Sequence, residues 1–135
     1  MRRTEARELY MQLLFQMDMQ KEYSKELKDK FVKEYMKDSD QLSYFNKLFD
    51  LTVQNLEEVD RLIESSSDNW KINRIAKVDL AVLRLSTIEI LYLKDIPVSA
   101  SINEAVDLAK KFSGEESGKF INGILGRVAK NTNVC

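Results

Sequence analysis

The sequence contains no histidine, a single cysteine, one proline and four glycines among its 135 residues. Histidine is the commonest general base and metal ligand, so its absence argues against acid–base catalysis and against most metal sites. The one cysteine, Cys135, has no second thiol to pair with, as is typical of a protein of the reducing cytosol. Scarce glycine and proline, without alternating β-branched residues, predict an all-α chain.

The motifs that mark common enzyme classes are also missing. No GxGxxG or GxxxxGK[ST] loop is present to hold a nucleotide, and no two of the many carboxylates stand apart as a catalytic pair. We therefore expect no enzymatic activity, no cofactor and no metal site. The net charge of −1 means that any nucleic-acid site must be a local patch. No apolar run follows a positive start, so we expect no signal peptide and a cytoplasmic protein.

The most apolar stretch of the chain runs from Trp70 to Tyr92. Its apolar residues do not keep to one helical stripe, which predicts a helix buried on several sides in the middle of a bundle. Four charged residues interrupt the stretch: Lys77, Asp79, Arg84 and Glu89. They argue against a membrane span. Each must find a partner or the surface, because burying an unpaired charge is unfavourable.

The spacing of apolar residues predicts five further helices around this central one. They cover about residues 4–19, 24–37 and 41–65, a segment that starts between 99 and 102 and ends near 112, and residues 117–130. Thr4 is a possible N-cap of the first helix, Tyr35 lies on the buried stripe of the second, and Ser101 opens a capping box for the fifth.

Two glycines, Gly123 and Gly126, lie inside the last predicted helix. Each is about 1 kcal/mol less favourable there than alanine. We expect close packing against another helix as the reason. Close approach by a ligand is the alternative.

Arginines are concentrated at the N-terminus, at positions 2, 3 and 7. Cations at the start of a helix oppose the helix dipole. Taken alone, the pattern favours a solvated helix start in which Arg7 pairs with nearby carboxylates. The alternative is an arginine cluster that binds phosphates.

Several longer segments resemble the NusB family of bacterial transcription antitermination factors. The most specific are INEAVDLAKKFSGEES at 102–117 and KFINGIL at 119–125. AVLRL at 81–85, the Asp95-Ile96-Pro97 break and the opening RRTEARE at 2–8 add to them. The resemblance covers essentially the whole chain and is loosest between residues 22 and 67.

The resemblance implies an all-helical, NusB-like bundle of about six to seven helices. It forms a single domain over 1–135, with two packed helical subdomains at about 1–66 and 67–131. It also implies an adaptor without catalysis, which binds the single-stranded RNA element boxA together with NusE, a small-subunit ribosomal protein. That complex joins RNA polymerase and other Nus factors, and it supports processive transcription of ribosomal RNA operons.

The resemblance also implies an RNA-binding set of side chains. Its members are Arg2, Arg3, Arg7, Ser117, Lys119 and Phe120. Because RRTEARE is one residue longer than the compact openings common in the family, we expect Arg2 and Arg3 to act as a flexible pair. Phe120 would stack on a base if it is exposed. From spacing alone, it is a core aromatic beside Ile121 and Ile124.

Two residues resemble family positions that face NusE, namely Phe15 and Asp79. Lys77 and Arg84 lie too far round the helix to be obvious partners of Asp79. We therefore expect its sector to be surface in the free protein, where a basic residue of NusE would meet it.

Two other functions fit the sequence. One is an accessory RNA-binding domain of a ribosomal RNA cytosine methyltransferase, which would need an attached cofactor domain. The other is a helical interaction module that self-associates, as a homodimer, through its apolar central helix.

Overall fold

The computed structural model describes residues 1–68 and 70–132, and these form six α-helices and one 3-10 turn without any β-strand. Cys135, whose lack of a disulfide partner was noted from the sequence, lies outside the described residues. The helices are α1 (Arg3–Gln20), α2 (Lys25–Tyr35), α3 (Leu42–Ser66), α4 (Lys77–Tyr92), α5 (Val98–Phe112) and α6 (Glu115–Asn131), with the 3-10 turn at Ile72–Arg74. The prediction of an all-α bundle is confirmed.

Helix α4 is the centre of the bundle. Every residue from Asp79 to Ile90 is buried, and α1, α3, α5 and α6 all pack against it. A helix covered on every side needs apolar residues all round its circumference. The lack of a single apolar stripe in the sequence is therefore explained, and the predicted central helix is confirmed.

The N-terminal half of the core is built on aromatic contacts between three helices. The ring of Tyr10 on α1 meets Phe45 on α3 edge to face, with centroids 5.2 Å apart, and Phe31 on α2 stacks on Phe45 at 5.9 Å. Such pairs add to the stabilisation from burial alone. Helix α2 is amphipathic, but Tyr35 at its end is half exposed, so the prediction that Tyr35 is buried was wrong.

Two predicted helix starts differ from the structure, because the hydroxyl groups of Thr4 and Ser101 form hydrogen bonds to other helices instead of capping their own. Helix α1 begins after Arg2, and Thr4 instead donates a 2.6 Å hydrogen bond to Glu104. Helix α5 begins at Val98, and Ser101 donates to Glu89 at 2.6 Å, so the predicted capping box does not form. Both side chains serve contacts between helices rather than helix ends.

Gly123 and Gly126, the two glycines inside α6 singled out from the sequence, do not pack closely against another helix. A Cβ atom built on Gly123 or Gly126 would meet nothing within 4 Å, so the expectation of close packing was wrong. Gly114, in the turn between α5 and α6, has a φ of +108°. Side-chain-bearing residues rarely adopt that conformation, so glycine is needed there.

None of the described helices is both long enough and apolar enough to cross a bilayer. Within residues 1–68 and 70–132, no cluster of acidic or sulfur side chains has the arrangement of a metal site.

Candidate nucleic-acid and partner interface

The arginines at the start of α1 have different surroundings. Arg3 is exposed, yet two contacts hold it: its guanidinium carbon lies 4.0 Å above the ring centroid of Tyr44, and its Nε donates to Gln41 at 2.6 Å. The backbone N–H of Arg2 donates to Glu5 at 3.2 Å, while its side chain is exposed. The prediction of a flexible pair was therefore wrong for Arg3, because α3 supplies a stacking surface and an acceptor.

Arg7 lies inside the bundle, with 7% of its surface exposed. Its guanidinium donates to Glu89 at 2.8 and 3.2 Å and to Glu104 at 2.8 Å. Burial opposes the charged form, but the two carboxylates more than offset that effect and hold the pKa of Arg7 above its usual range. A phosphate contact would require the guanidinium to leave both carboxylates. The geometry favours the ion-pair interpretation of Arg7.

Glu89 is the acceptor on which four helices meet. It is 1% exposed and accepts four hydrogen bonds: two from Arg7 on α1, one from the hydroxyl of Tyr44 on α3, and one from Ser101 on α5. A buried charge with this many donors is compensated within the chain. This cluster fixes the position of the α1 start against the rest of the bundle.

A cleft of about 310 Å³ opens at the other end of α4, where α6 begins. Its lining residues are Trp70, Arg74, Ile75, Ala76, Asp79, Glu116, Ser117 and Phe120. Phe120 is half-buried, and its ring meets the half-exposed ring of Trp70 edge-on at 6.0 Å. Phe120 thus packs against the core and also borders the cleft. Neighbouring Lys119 is exposed, 3.6 Å from Glu116.

Asp79 forms part of the same cleft. It is 7% exposed, so the expectation that its sector is surface was wrong, because the start of α6 covers it. One oxygen accepts a long 3.4 Å hydrogen bond from Ser117, and the other oxygen, Oδ1, is buried without a partner. Burial raises the pKa of Asp79, and the Ser117 bond only partly opposes this. The chain therefore leaves the carboxylate incompletely compensated.

Lys77 and Arg84 pair elsewhere, as their helical angles predicted. Asp18 on α1 lies 3.0 Å from Lys77 and 3.1 Å from Arg84, and Arg84 also binds Asp60 on α3 at 2.8 Å. Arg84 and Glu89 contact opposite halves of α1, so α1 and α4 run antiparallel. Phe15, one turn before Asp18, is half-buried against the core and lies towards the Asp79 end of α4.

The predicted site residues therefore fall into two groups at the two ends of α4. The arginines at the start of α1 lie at the Glu89 end. Ser117 and Phe120, predicted to bind RNA, lie at the other end beside Asp79, predicted to bind the partner protein. Asp79 and Glu89 are ten positions apart, which corresponds to about 15 Å along the helix axis. Trp70 and Tyr44 were not predicted from the sequence as site residues. The single tryptophan at the edge of the apolar stretch could have indicated Trp70.

A helical bundle with an aromatic cleft and an arginine-bearing helix start has features typical of a factor that binds nucleic acid and protein. The sequence profile described as the NusB family matches residues 4–130. Transcription antitermination protein NusB of Acetivibrio thermocellus is 45% identical over 130 residues, covering 96% of this chain and 90% of that protein.

Solved NusB structures share the fold. The NusB chain in a crystal structure of the antitermination factors NusB and NusE with dsRNA has a TM-score of 0.86 and 34% identity, covering 96% of both chains. NusB of T. maritima has a TM-score of 0.85 and 34% identity, covering 96% of this chain and 92% of that one. The chain belongs to the NusB family of transcription antitermination factors, which confirms the resemblance.

Proposed function

We propose that this chain is an RNA-binding adaptor that binds single-stranded boxA RNA together with NusE and, with RNA polymerase and other Nus factors, supports antitermination in the cytoplasm. The observation that carries the proposal is the cleft at the start of α4 and α6. There, an aromatic pair adjoins a buried carboxylate oxygen without a donor. The proposal assigns no catalytic step to the chain.

The RNA would follow the exposed cations and the aromatic pair. Single-stranded RNA is recognised by stacking of unpaired bases on aromatic rings and by contacts to phosphate. Trp70 and Phe120 supply the rings, and Lys119 with the open start of α6 supplies donors for phosphate. Arg2 and Arg3 would contact phosphates further along the RNA, at the Glu89 end of α4. Arg7 would support them indirectly, by fixing the start of α1 from inside the bundle.

NusE would supply the donor that Asp79 lacks, through a shift of the α6 start that exposes the buried Oδ1 atom on association. A buried carboxylate with only one long hydrogen bond is energetically unfavourable, and a cationic side chain of the partner would supply the missing hydrogen bond and compensate the charge. A ribosomal protein is suited to this role, because its surface is basic enough to bind RNA. Phe15, half-buried on the neighbouring helix, would contribute apolar contact area to the same interface. A homodimer through this face is the competing assembly.

The test of RNA binding compares two aromatic residues of equal exposure. Trp70 is 50% exposed within the cleft, and Tyr35 is 52% exposed on α2, away from the cleft. Trp70→Ala and Phe120→Ala should each weaken boxA binding by about 1–3 kcal/mol in fluorescence anisotropy titrations with NusE present. Tyr35→Ala should leave RNA affinity unchanged.

Thermal melts of the same variants separate binding from folding. If Phe120 acts only as a core residue, Phe120→Ala should lower stability by about 3–5 kcal/mol and leave the RNA affinity of the folded fraction unchanged. That result, with unchanged binding by Trp70→Ala, would overturn the RNA site. Sedimentation of the chain with and without NusE distinguishes the heterodimer from the homodimer.

A further inference from the structure

The side chain of Tyr44 connects an exposed arginine to the buried Glu89 cluster. Its ring lies beneath the guanidinium of Arg3, with 4.0 Å between the guanidinium carbon and the ring centroid. Its hydroxyl donates to the carboxylate of Glu89. Burial and the neighbouring carboxylate raise the pKa of Tyr44, so the hydroxyl remains a donor at neutral pH. The ring orientation is therefore fixed from the inside of the protein.

The contacts of Arg3 leave its outer nitrogens open. The ring of Tyr44 covers one face of the guanidinium, and Nε is occupied by Gln41 at 2.6 Å. Within the described part of the chain, no hydrogen bond or ion pair of Arg3 involves Nη1 or Nη2. These two nitrogens form the edge of the fork that binds phosphate oxygens in a bidentate manner.

Arg3 also borders a second cleft, of about 540 Å³, between the start of α3 and the loop after α4. Exposed Ser43 and Lys47 lie on the α3 side of this cleft. Asp40, Asp50 and Asp95, all exposed, line the same cleft, so the cleft as a whole is unfavourable for phosphate and the phosphate contact belongs at the Nη edge of Arg3.

We propose that Tyr44 is a positioning residue for RNA binding, which holds the Arg3 guanidinium flat with its Nη edge directed at an RNA phosphate. This inference rests on the proposed function and identifies Tyr44 as the residue through which the position of Arg3 is fixed. A guanidinium fixed before binding loses less conformational freedom when it meets its ligand. Arg2, whose exposed side chain has no such support among the described contacts, provides the internal comparison.

The experiment is a double-mutant cycle measured by anisotropy with boxA RNA and NusE. Arg3→Ala and Tyr44→Leu should each weaken binding about 2- to 10-fold. The double variant should bind about as well as either single variant, because both remove the same contact. The control cycle pairs Arg2→Ala with Tyr44→Leu, and its two effects should multiply. A Tyr44 residue with a merely structural role would give multiplying effects in both cycles.

The salt dependence supplies a second readout. Arg3→Ala and Tyr44→Leu should both lower the slope of log K against log salt by about 0.7, the value for one phosphate contact on a single strand. If wild-type protein with NusE does not bind boxA RNA, the proposed function fails and this inference fails with it. If wild-type protein binds but the Arg3 and Tyr44 effects multiply, only the inference fails.

Tyr44→Leu removes one of the donors to buried Glu89, so a readout on the unmodified protein is needed as well. In proton–nitrogen NMR spectra, the Nε–H of Arg3 should show slow solvent exchange and a ring-current shift, unlike that of Arg2. Assignment follows from Arg3→Lys and Arg2→Lys. RNA addition should shift the Arg3 signal further. An Arg3 Nε–H that exchanges as fast as that of Arg2 would overturn the positioning role.

Discussion

Glu89 and Asp79 are both buried carboxylates on α4, but their surroundings are opposite. Glu89 accepts four hydrogen bonds from three other helices. Asp79 accepts one long bond from Ser117 and has a second oxygen without a donor. Burial alone therefore does not indicate a functional residue. The number of donors that the chain itself provides distinguishes the fully compensated carboxylate of Glu89 from the incompletely compensated one of Asp79.

The largest effect should come from removing Glu89, the buried carboxylate whose charge the chain compensates. Glu89→Ala should destabilise the protein by about 3–5 kcal/mol, because it leaves the guanidinium of Arg7 buried without its main counter-ion. The free energy of unfolding in urea measures this. Glu104→Ala is the matched control: Glu104 also pairs with Arg7 but is more exposed, so its loss should be smaller. Equal losses for the two variants would contradict the central role of Glu89.

The opposite end of α4 should respond in binding rather than in folding. Asp79→Ala should leave stability nearly unchanged, because the chain does not compensate the carboxylate. Affinity for NusE, measured by calorimetric titration, should fall by about 2–5 kcal/mol if the ion pair is buried on association. Glu116→Ala changes an exposed carboxylate of the same cleft and should have little effect. Wild-type affinity, or a severe loss of stability, would make Asp79 a structural residue.

The comparison also explains what the sequence could and could not predict. The burial of α4 followed from its apolar circumference, and the failure of Lys77 and Arg84 to pair with Asp79 followed from helical geometry. Both are local properties. The donors to Glu89 come from residues 7, 44 and 101, and no local pattern brings these together. Ser101 therefore resembled a helix cap, although it serves a contact between helices.

Arg7 illustrates the same limit at the candidate site. An arginine at a helix start has the same sequence signal whether it binds a phosphate or a buried carboxylate. The two interpretations differ only in the group that the guanidinium contacts. Here that group is the carboxylate of Glu89, which is 82 residues away in the chain. Similarly, the cleft depends on Trp70 meeting Phe120 across 50 residues. The site residues assigned from the family resemblance remain predictions until binding is measured.

A smaller effect concerns the pH dependence that Asp79 contributes to stability. Burial raises the pKa of Asp79 above its ordinary value of 3.8. A raised pKa favours the neutral form, so the stabilisation relative to Asp79→Asn is complete below the unfolded-state pKa and is lost as pH rises through the folded-state pKa. Urea titrations of both proteins from pH 3.5 upwards measure this. A difference that is independent of pH would contradict the raised pKa.

The affinity for NusE should change in the opposite direction over the same interval. Asp79 must ionise to pair with a cation, so binding should strengthen as pH rises through the pKa of the free carboxyl group, with release of a proton. Calorimetry in buffers of different ionisation enthalpy detects that proton. Asp79→Asn should abolish both the proton release and the pH dependence.

The smallest effect should come from Lys119, an exposed lysine beside the cleft that contains Asp79 and Phe120. Lys119→Ala should leave stability unchanged, because the side chain is exposed and its pairing with Glu116 is a surface contact. Its loss should lower the salt slope of RNA binding by about 0.7. Lys33→Ala, an exposed cation on α2, is the control and should leave the slope unchanged. An unchanged slope for Lys119→Ala would remove this residue from the RNA surface.

The central position of α4 has a consequence for the synthesis of the protein. Helices α1, α2 and α3 leave the ribosome first and can contact one another, but the faces of α1 and α3 that pack on α4 stay uncovered until α4 is made, and Arg7 meets Glu89 only then. Translation of the 26 residues from Ser67 to Tyr92 takes about 1–5 s at ordinary bacterial and eukaryotic elongation rates. During that interval the nascent chain presents an uncovered core to the cell. The yield of folded protein should therefore depend on the speed at which this segment is translated.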